Sequence, residues 1–128
     1  KINDSKPVWV LGKLKMLVQE FLMSNAEKSL ADVVIACYGL SFKADIDDLR
    51  ESPARLIASE VISSHPGTVL LIEPNISEVP QGLTPGILTD FDSAVEKADI
   101  HLLLVDHTEF TNNRPKLGLI LDTRGIWG

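Results

Sequence analysis

The sequence predicts an α/β protein: a three-layer sandwich with a mostly parallel sheet of about five strands, preceded by an N-terminal helix. Two observations predict this architecture. Residues 33–38 and 100–105 are apolar without alternation, which is typical of parallel strands covered on both faces. Between such stretches, apolar residues recur at helical spacing, so strands and helices alternate along the chain.

The first helix is expected to begin at Pro7, because the missing N–H of proline costs nothing in the first turn of a helix. Its apolar stripe comprises Val10, Leu14, Leu17, Val18, Phe21 and Leu22. This stripe fades in the polar stretch 24–29, and the first strand follows at 33–38.

The second helix is predicted from Ser52 and Pro53, which suit the N-cap and the first turn. Its stripe comprises Ala54, Ile57, Ala58, Val61 and Ile62. The turn 65–67 stops it, and a second buried strand follows at 68–72.

The remaining elements are shorter. Residues 75–86 form a loop rich in proline and glycine, with a short strand near Ile87 and Leu88. Asp90 or Asp92 can cap a short helix through Ala98. The last elements are strands 100–105 and 117–121, with the polar stretch 106–113 between them.

Parallel strands joined by right-handed crossovers end at one edge of the sheet. The residues expected along that edge are Gly39, Glu73, Asp106 and Asp122. Ligands of open α/β sheets bind in the crevice at this edge. The candidate binding segments are therefore 39–52 and 122–127.

Three cations in these segments are candidate anion ligands. Lys43 and Arg50 follow the first strand, and Arg124 follows the last. A lysine is a compact donor to phosphate oxygens, and an arginine is a planar fork for them. The alternative for Lys43 and Arg50 is a solvated loop with nearby acids, and for Arg124 an exposed terminal arginine rather than a phosphate or uracil contact.

A dinucleotide-binding fingerprint is absent from the first strand's exit. Residues 39–42 hold one glycine where the fingerprint needs three, and Glu73 comes 34 positions after Gly39 rather than about 20. A Rossmann-like sheet is therefore expected without a self-contained NAD site.

The sequence offers no catalytic group and no metal site. Cys37 lies inside an apolar strand without a neighbouring histidine in sequence, so we interpret it as a buried structural cysteine. His65, His101 and His107 have no cysteine or carboxylate at ligand spacing. These features favour a binding domain over a complete enzyme.

Composition excludes other classes. The formal net charge is −6, with 12 Lys and Arg against 18 Asp and Glu, and no basic run, so a nucleic-acid partner is not expected. No apolar stretch approaches the ~18 residues of a membrane span. A single cysteine suits a reducing, cytoplasmic setting. Because the chain begins at Lys1 rather than Met, we expect it to be part of a longer protein.

The sixteen residues 39–54 closely resemble the C-terminal, UDP-binding domain of the UDP-glucose/GDP-mannose dehydrogenase family. Shorter segments at 2–7, 73–75, 105–110 and 122–127 resemble the same family, so nearly the whole chain is covered. The resemblance implies that residues 1–30 end the connecting helix of a central dimerisation domain. Residues 31–128 would be the UDP-binding domain.

The resemblance also implies a chemistry. Members oxidise the C6 alcohol of a UDP-sugar to a carboxylate in two steps, removing four electrons with two NAD. By analogy Phe42, Lys43 and Arg124 contact the UDP-sugar, and Arg50 reaches NAD held mainly by an N-terminal domain. The family's catalytic cysteine and lysine belong to earlier domains, so Cys37 is not that nucleophile and the isolated chain is expected to be inactive.

Several motifs look most like those of members acting on UDP-N-acetyl-D-mannosamine, with UDP-N-acetylglucosamine and UDP-glucose as alternative substrates. The resemblance further implies a homodimeric parent enzyme and a role in precursors of surface polysaccharide. A different class of function remains open, namely a signalling or assembly module without catalysis. The wide apolar face of the first helix is where such a module would assemble.

Overall fold

The computed structural model describes residues 7–41 and 52–127. The helices and strands, in chain order, are α1 (Pro7–Ser24), β1 (Ile35–Tyr38), α2 (Pro53–Ser64), β2 (Val69–Ile72), β3 (Ile87–Leu88), α3 (Phe91–Lys97), β4 (Ile100–Leu103), α4 (Thr108–Thr111) and β5 (Leu119–Asp122). A 3₁₀ turn, Leu30–Asp32, precedes β1. The predicted α/β class is confirmed.

The strands of the described residues form one sheet in the order β3-β2-β1-β4-β5, and every pairing is parallel. The sheet predicted as mostly parallel is thus wholly parallel in this part of the chain. From β1 the chain proceeds to β2 and β3 on one side, then returns to β4 and β5 on the other. The order therefore reverses between β1 and β4.

Successive residues of the strands belong alternately to two apolar clusters, one on each face of the sheet. On one face, Ile35 and Cys37 of β1 pack with buried residues of α1 and α2. On the other, Ala36 and Tyr38 pack with α3, Phe110 and Trp127. Burial on both faces explains why the central strands lack the alternating pattern of a half-exposed sheet.

Both helices for which the sequence predicts an N-cap residue have one in the structure. Ser52 is the N-cap of α2, where its Oγ accepts a hydrogen bond from the Arg55 amide at 3.2 Å, and Pro53 occupies the first turn. Asp90, rather than Asp92, caps α3 by accepting from the Ser93 amide at 2.8 Å. Both caps lie at the carboxyl edge of the sheet, because α2 follows β1 and α3 follows β3.

The polar stretch 106–113 contains the short helix α4, which the sequence did not predict. Four residues are too few for helical periodicity to show. The Phe110 ring is nevertheless fully buried, 5.7 Å from the Tyr38 ring between centroids. Tertiary packing of this one aromatic residue accompanies the extra turn of helix.

Candidate functional site

The ends of the four longer strands lie in line at one edge of the sheet. Tyr38 pairs with Ile72 on one side and Leu103 on the other, and Leu103 pairs with Asp122. The residues directly after these positions are therefore neighbours in space. The predicted gathering of Gly39, Glu73 and Asp122 at the carboxyl edge is confirmed.

The exits of β1 and β4 approach each other very closely at the point where the strand order reverses. Gly39 has a φ of +100°, and a Cβ added there would lie 2.5 Å from the Cβ of Val105. Only glycine tolerates both the dihedral angle and the contact. In sheets of this topology, the crevice at the carboxyl edge where the strand order reverses is the usual ligand site.

A buried carboxylate spans this crevice from one side to the other. Glu73, 3% exposed, follows β2, and its Oε1 accepts hydrogen bonds from the amides of Leu40 at 2.7 Å and Ser41 at 3.2 Å. His107, which follows β4, donates from Nε2 to the same oxygen at 2.9 Å. Oε2 accepts from the amide of Asn75 at 3.2 Å and its side chain at 2.9 Å. Three strand exits thus meet at one side chain.

The pKa of Glu73 lies below its usual value. Burial alone raises the pKa of a carboxyl group, because it disfavours the charged form. Here the hydrogen bond and charge of His107, with the bonds from the Leu40 and Asn75 amides, outweigh burial and lower the pKa. Glu73 is therefore an ionised group held inside the protein by its donors.

Ser52 completes the polar network from the side of α2. Its Oγ donates towards the carbonyl oxygens of Leu40 at 2.8 Å and Ser41 at 3.0 Å while it caps α2. The residues Leu40 and Ser41 therefore donate hydrogen bonds from their backbone N–H groups to Glu73 and accept hydrogen bonds at their carbonyl groups from Ser52. This places the N-cap of α2 directly against the exit of β1.

The carboxyl-terminal motif is a turn organised by Asp122. Its Oδ1 accepts from the amides of Arg124 at 2.8 Å and Gly125 at 2.7 Å, and its Oδ2 accepts from the Trp127 amide at 2.7 Å. Thr123 Oγ1 donates to the Leu103 carbonyl at 2.7 Å, which ties the turn to β4. These hydrogen bonds fix the backbone of the turn and therefore the position of the residue at its tip.

Arg124 occupies that tip. It is exposed, and its Nε donates to the carbonyl oxygen of Leu104 at 3.1 Å. The guanidinium group is thus fixed beside the exit of β4, at the candidate crevice, while remaining accessible to a ligand. A planar cation in this position suits a phosphate group or a nucleobase edge.

The other predicted ligands, Phe42, Lys43 and Arg50, lie outside the described residues. The structure describes the residues on either side of their segment, Ser41 and Ser52, which are directly hydrogen-bonded to each other. Because Ser41 follows β1 and Ser52 is the N-cap of α2, both residues that flank positions 42–51 lie at the candidate crevice.

Cys37 and His101 are structural. Cys37 is fully buried, and burial raises the pKa of its thiol to about 12, which disfavours the reactive thiolate. His101 donates from Nε2 to the Leu117 carbonyl at 2.8 Å, so its Nδ1 accepts the hydroxyl hydrogen of Tyr38 at 2.7 Å. Burial lowers the pKa of His101, consistent with a neutral ring. The predicted burial of Cys37 is confirmed.

Within residues 7–41 and 52–127, no group of three or more histidine, cysteine, aspartate or glutamate residues is arranged to hold a metal ion.

Among the helices that the structure describes, none combines the length and the apolar character needed to cross a membrane.

The sequence predicted that Glu73 lies at the crevice, but not that it joins three strand exits. It also did not predict the hydrogen bond of His107 to Glu73, or the contacts of Ser52 with Leu40 and Ser41. One signal pointed that way: an acidic residue directly after a strand buried on both faces must find donors inside the protein. The identity of those donors depends on the strand order, which the sequence pattern does not contain.

Comparisons with known proteins agree with this geometry. The sequence profile described as "UDP-glucose/GDP-mannose dehydrogenase family, UDP binding domain" matches residues 36–128. The UDP-N-acetyl-D-mannosamine dehydrogenase of Yersinia pestis is 42% identical over 131 residues, covering 98% of this chain and 31% of that protein. The NDP-N-acetyl-D-galactosaminuronic acid dehydrogenase of Ralstonia nicotianae is 42% identical over 130 residues, covering 99% and 29%.

A solved UDP-N-acetyl-mannosamine dehydrogenase from Staphylococcus aureus superimposes with a TM-score of 0.72 at 26% identity, over 94% of this chain and 27% of that one. The present chain thus spans less than a third of the length of these relatives. The profile match and the shared fold show that the chain belongs to the UDP-glucose/GDP-mannose dehydrogenase family, of which it carries the UDP-binding domain.

Proposed function

We propose that this chain is the substrate-binding domain of an NAD-dependent UDP-N-acetyl-D-mannosamine 6-dehydrogenase. The observation that carries the proposal is the exposed Arg124, fixed at the strand-order reversal of a domain whose family binds UDP. In the reaction, two hydrides pass from C6 of the sugar to two NAD molecules, and water supplies the second carboxylate oxygen. The catalytic cysteine and lysine would reside in other domains.

In this proposal the chain binds and orients the nucleotide end of the substrate. Arg124 supplies a fork of N–H donors to UDP from the β4 side of the crevice. Lys43 and Phe42 act from the segment that follows β1, with Lys43 on the nucleotide part. Arg50 extends towards NAD, which an N-terminal domain would mainly hold. The parent enzyme would be a cytoplasmic homodimer that makes a precursor of surface polysaccharide.

The sugar is assigned from the relatives. The Yersinia pestis protein named for UDP-N-acetyl-D-mannosamine and the Ralstonia nicotianae protein named for an N-acetyl-D-galactosaminuronic acid are equally identical to this chain, at 42%. Both names specify an N-acetylated sugar, which favours such a substrate over UDP-glucose. UDP-N-acetylglucosamine is the alternative among N-acetylated sugars.

An assembly module without catalysis is the second candidate function. Val8, Met16 and Met23 of α1 are 85%, 62% and 85% exposed, so this helix presents large apolar side chains outward. Such side chains suit contact with another protein surface. A module of this kind would not bind UDP, so UDP binding separates the two candidates.

Calorimetric titration of the chain with UDP tests the proposal. We expect binding that weakens about tenfold to a hundredfold in Lys43→Ala and in Arg124→Ala, since one charge-assisted contact contributes roughly 1.5–3 kcal/mol. Raising the salt concentration should weaken binding of the unaltered chain, because the contacts are ionic.

Lys28→Ala is the matched control. Lys28 lies 3.8 Å from Asp99, which precedes β4 at the amino edge, so its loss removes a cation far from the crevice. UDP affinity should be unchanged in this variant. Absence of heat at millimolar UDP, or equal losses in Lys28→Ala and Arg124→Ala, would contradict the proposed site.

A further inference from the structure

The exit of β1 is clamped from both sides by groups that belong to other parts of the chain. Glu73, which directly follows β2, accepts hydrogen bonds from the amides of Leu40 and Ser41. Ser52, from the start of α2, donates towards both carbonyl oxygens. The two consecutive residues Leu40 and Ser41 are therefore held at all four of their backbone polar atoms, which leaves this piece of backbone little freedom to rotate.

The clamp has a second anchor across the sheet. β1 lies between β2 and β4, so the Glu73 carboxylate passes across the end of β1 to reach His107 beyond β4. Glu73 is 3% exposed and His107 is 1% exposed, so water does not compete for these hydrogen bonds. A desolvated, charge-assisted hydrogen bond is stronger and more directional than one at the surface.

The clamp lies at the root of the segment that carries the predicted ligands. Ser41 immediately precedes residues 42–51, and Ser52 immediately follows them. Phe42 directly follows Ser41, and Lys43 is one position further on. Glu73 and Ser52 therefore hold the two described residues that directly precede the predicted ligands.

We propose that Glu73, hydrogen-bonded to His107, is a positioning residue: it fixes the Leu40–Ser41 backbone at the end of β1, and this fixed backbone supports binding of the UDP-sugar without Glu73 touching the ligand. This inference rests on the proposed function. Backbone that is already held at the crevice before the ligand arrives does not have to be ordered on binding, which increases affinity. Shortening Glu73 should accordingly weaken UDP binding.

Two substitutions separate the effect of side-chain length from the effect of charge at position 73. Glu73→Gln keeps the length of the side chain and an oxygen that accepts from the Leu40 and Ser41 amides, but removes the negative charge. Glu73→Asp keeps the charge but withdraws the carboxylate by one methylene group. If Glu73 acts by position, Glu73→Asp should weaken UDP binding about tenfold, while Glu73→Gln stays close to the unaltered chain.

A purely electrostatic role predicts the reverse order. A carboxylate near the crevice repels the diphosphate of UDP, so removing its charge in Glu73→Gln would then tighten binding, and Glu73→Asp would leave it unchanged. Amide hydrogen exchange of Leu40 and Ser41, followed by NMR, reports the position directly. We expect exchange to accelerate in Glu73→Asp and to remain slow in Glu73→Gln.

Asp99→Ala is the control for general destabilisation. Asp99 accepts a hydrogen bond from the Val34 amide at 2.9 Å, so it holds the opposite, amino end of β1 in a comparable way. This variant should lower the melting temperature and expose the Val34 amide, while UDP affinity and the exchange of Leu40 and Ser41 remain as in the unaltered chain. A loss of affinity in Asp99→Ala equal to that in Glu73→Asp would overturn the inference.

The outcomes distinguish this inference from the function on which it rests. An unaltered chain that binds no UDP would contradict the proposed function. Normal binding by the unaltered chain, unchanged in Glu73→Asp, would overturn the positioning role alone. Slow exchange of Leu40 and Ser41 in Glu73→Asp would also overturn it, because the carboxylate would then not be what holds them.

Discussion

Glu73 shows how a charged side chain can be placed inside an apolar sheet edge. An isolated carboxylate in that position would be protonated, because burial raises the pKa of such a group. Donors from three strand exits instead keep Glu73 ionised and lower its pKa. The same bonds that stabilise the charge also join β1, β2 and β4, so this residue contributes to stability as well as to the geometry of the crevice.

The lowered pKa of Glu73 predicts a pH dependence. A group whose pKa is lower in the folded chain contributes stability above its unfolded pKa and loses that contribution as the pH falls through the folded value. The unaltered chain should therefore be more stable than Glu73→Gln at pH 7, by about 1–3 kcal/mol. The difference should narrow as the pH falls below the unperturbed value of 4.5.

Urea unfolding of both chains between pH 7 and pH 3 measures this difference. Glu96→Gln, at an exposed position of α3, controls for removing a surface carboxylate. A stability difference between the unaltered chain and Glu73→Gln that stays constant down to pH 3 would show that the charge of Glu73 is not the stabilising feature.

At the scale of elements, the approach of β1 to β4 decides the form of the crevice. The two exits come within van der Waals distance at Gly39 and Val105, and the Leu104 amide donates to the Tyr38 carbonyl at 2.9 Å. Any side chain at position 39 would separate them. The spacing of Glu73 from His107 depends on the same approach, because each follows one of the strands that flank β1.

Gly39→Ala should therefore destabilise the fold and weaken UDP binding. The added Cβ meets Val105 at 2.5 Å, and the φ of +100° disfavours alanine, which together cost roughly 2–6 kcal/mol. Thermal unfolding and UDP titration measure the two effects.

Gly82→Ala provides the comparison. Gly82 also has a positive φ, +87°, but the nearest atom to an added Cβ is an Arg55 nitrogen at 3.9 Å. Only the dihedral cost applies there, about 1 kcal/mol. Equal losses of stability in the two variants would indicate that the contact with Val105 is relieved without cost.

At the scale of the whole molecule, α1 is part of the core although the family profile begins at residue 36. Val10, Leu14 and Val18 are buried in the same cluster as Ile57 and Leu104. The predicted boundary at residue 30, which assigns α1 to a preceding domain, therefore rests on the resemblance to the family and not on how α1 packs in this structure. Physically, α1 covers one face of this sheet.

A chain beginning at residue 25 tests that distinction. Losing α1 uncovers apolar surface whose burial contributes about 1.5–3 kcal/mol per large side chain, so the three buried residues alone account for roughly 5–9 kcal/mol. Domain stabilities are typically about 5–15 kcal/mol. We expect the shortened chain to lose cooperative unfolding or to melt at a much lower temperature.

Substituting the exposed Met16 and Met23 by alanine serves as the control, because both side chains lie on the outer face of α1. Their loss should change the free energy of unfolding by no more than about 0.5 kcal/mol each. A shortened chain that melts like the full chain would show that residues 1–24 are a separable linker rather than part of the core.

Apolar periodicity and cap residues determined much of this fold locally. The stripe from Val10 to Leu22 predicted α1, Ser52 and Pro53 predicted the start of α2, and unbroken apolar stretches predicted the buried strands. The placement of Arg124 at the carboxyl edge followed from parallel strands alone. Each of these signals depends on residues close together in the chain.

The tertiary structure decided the strand order, the helix α4 and the contacts of Glu73. Strands buried on both faces share one apolar pattern, so nothing in that pattern says which strand lies beside β1. Glu73 meets Ser41 across 32 positions and His107 across 34. Such contacts form only when the fold brings distant polar groups into a space that excludes water. The sequence therefore determined which residues stand at the crevice, and tertiary packing determined which of them hold one another.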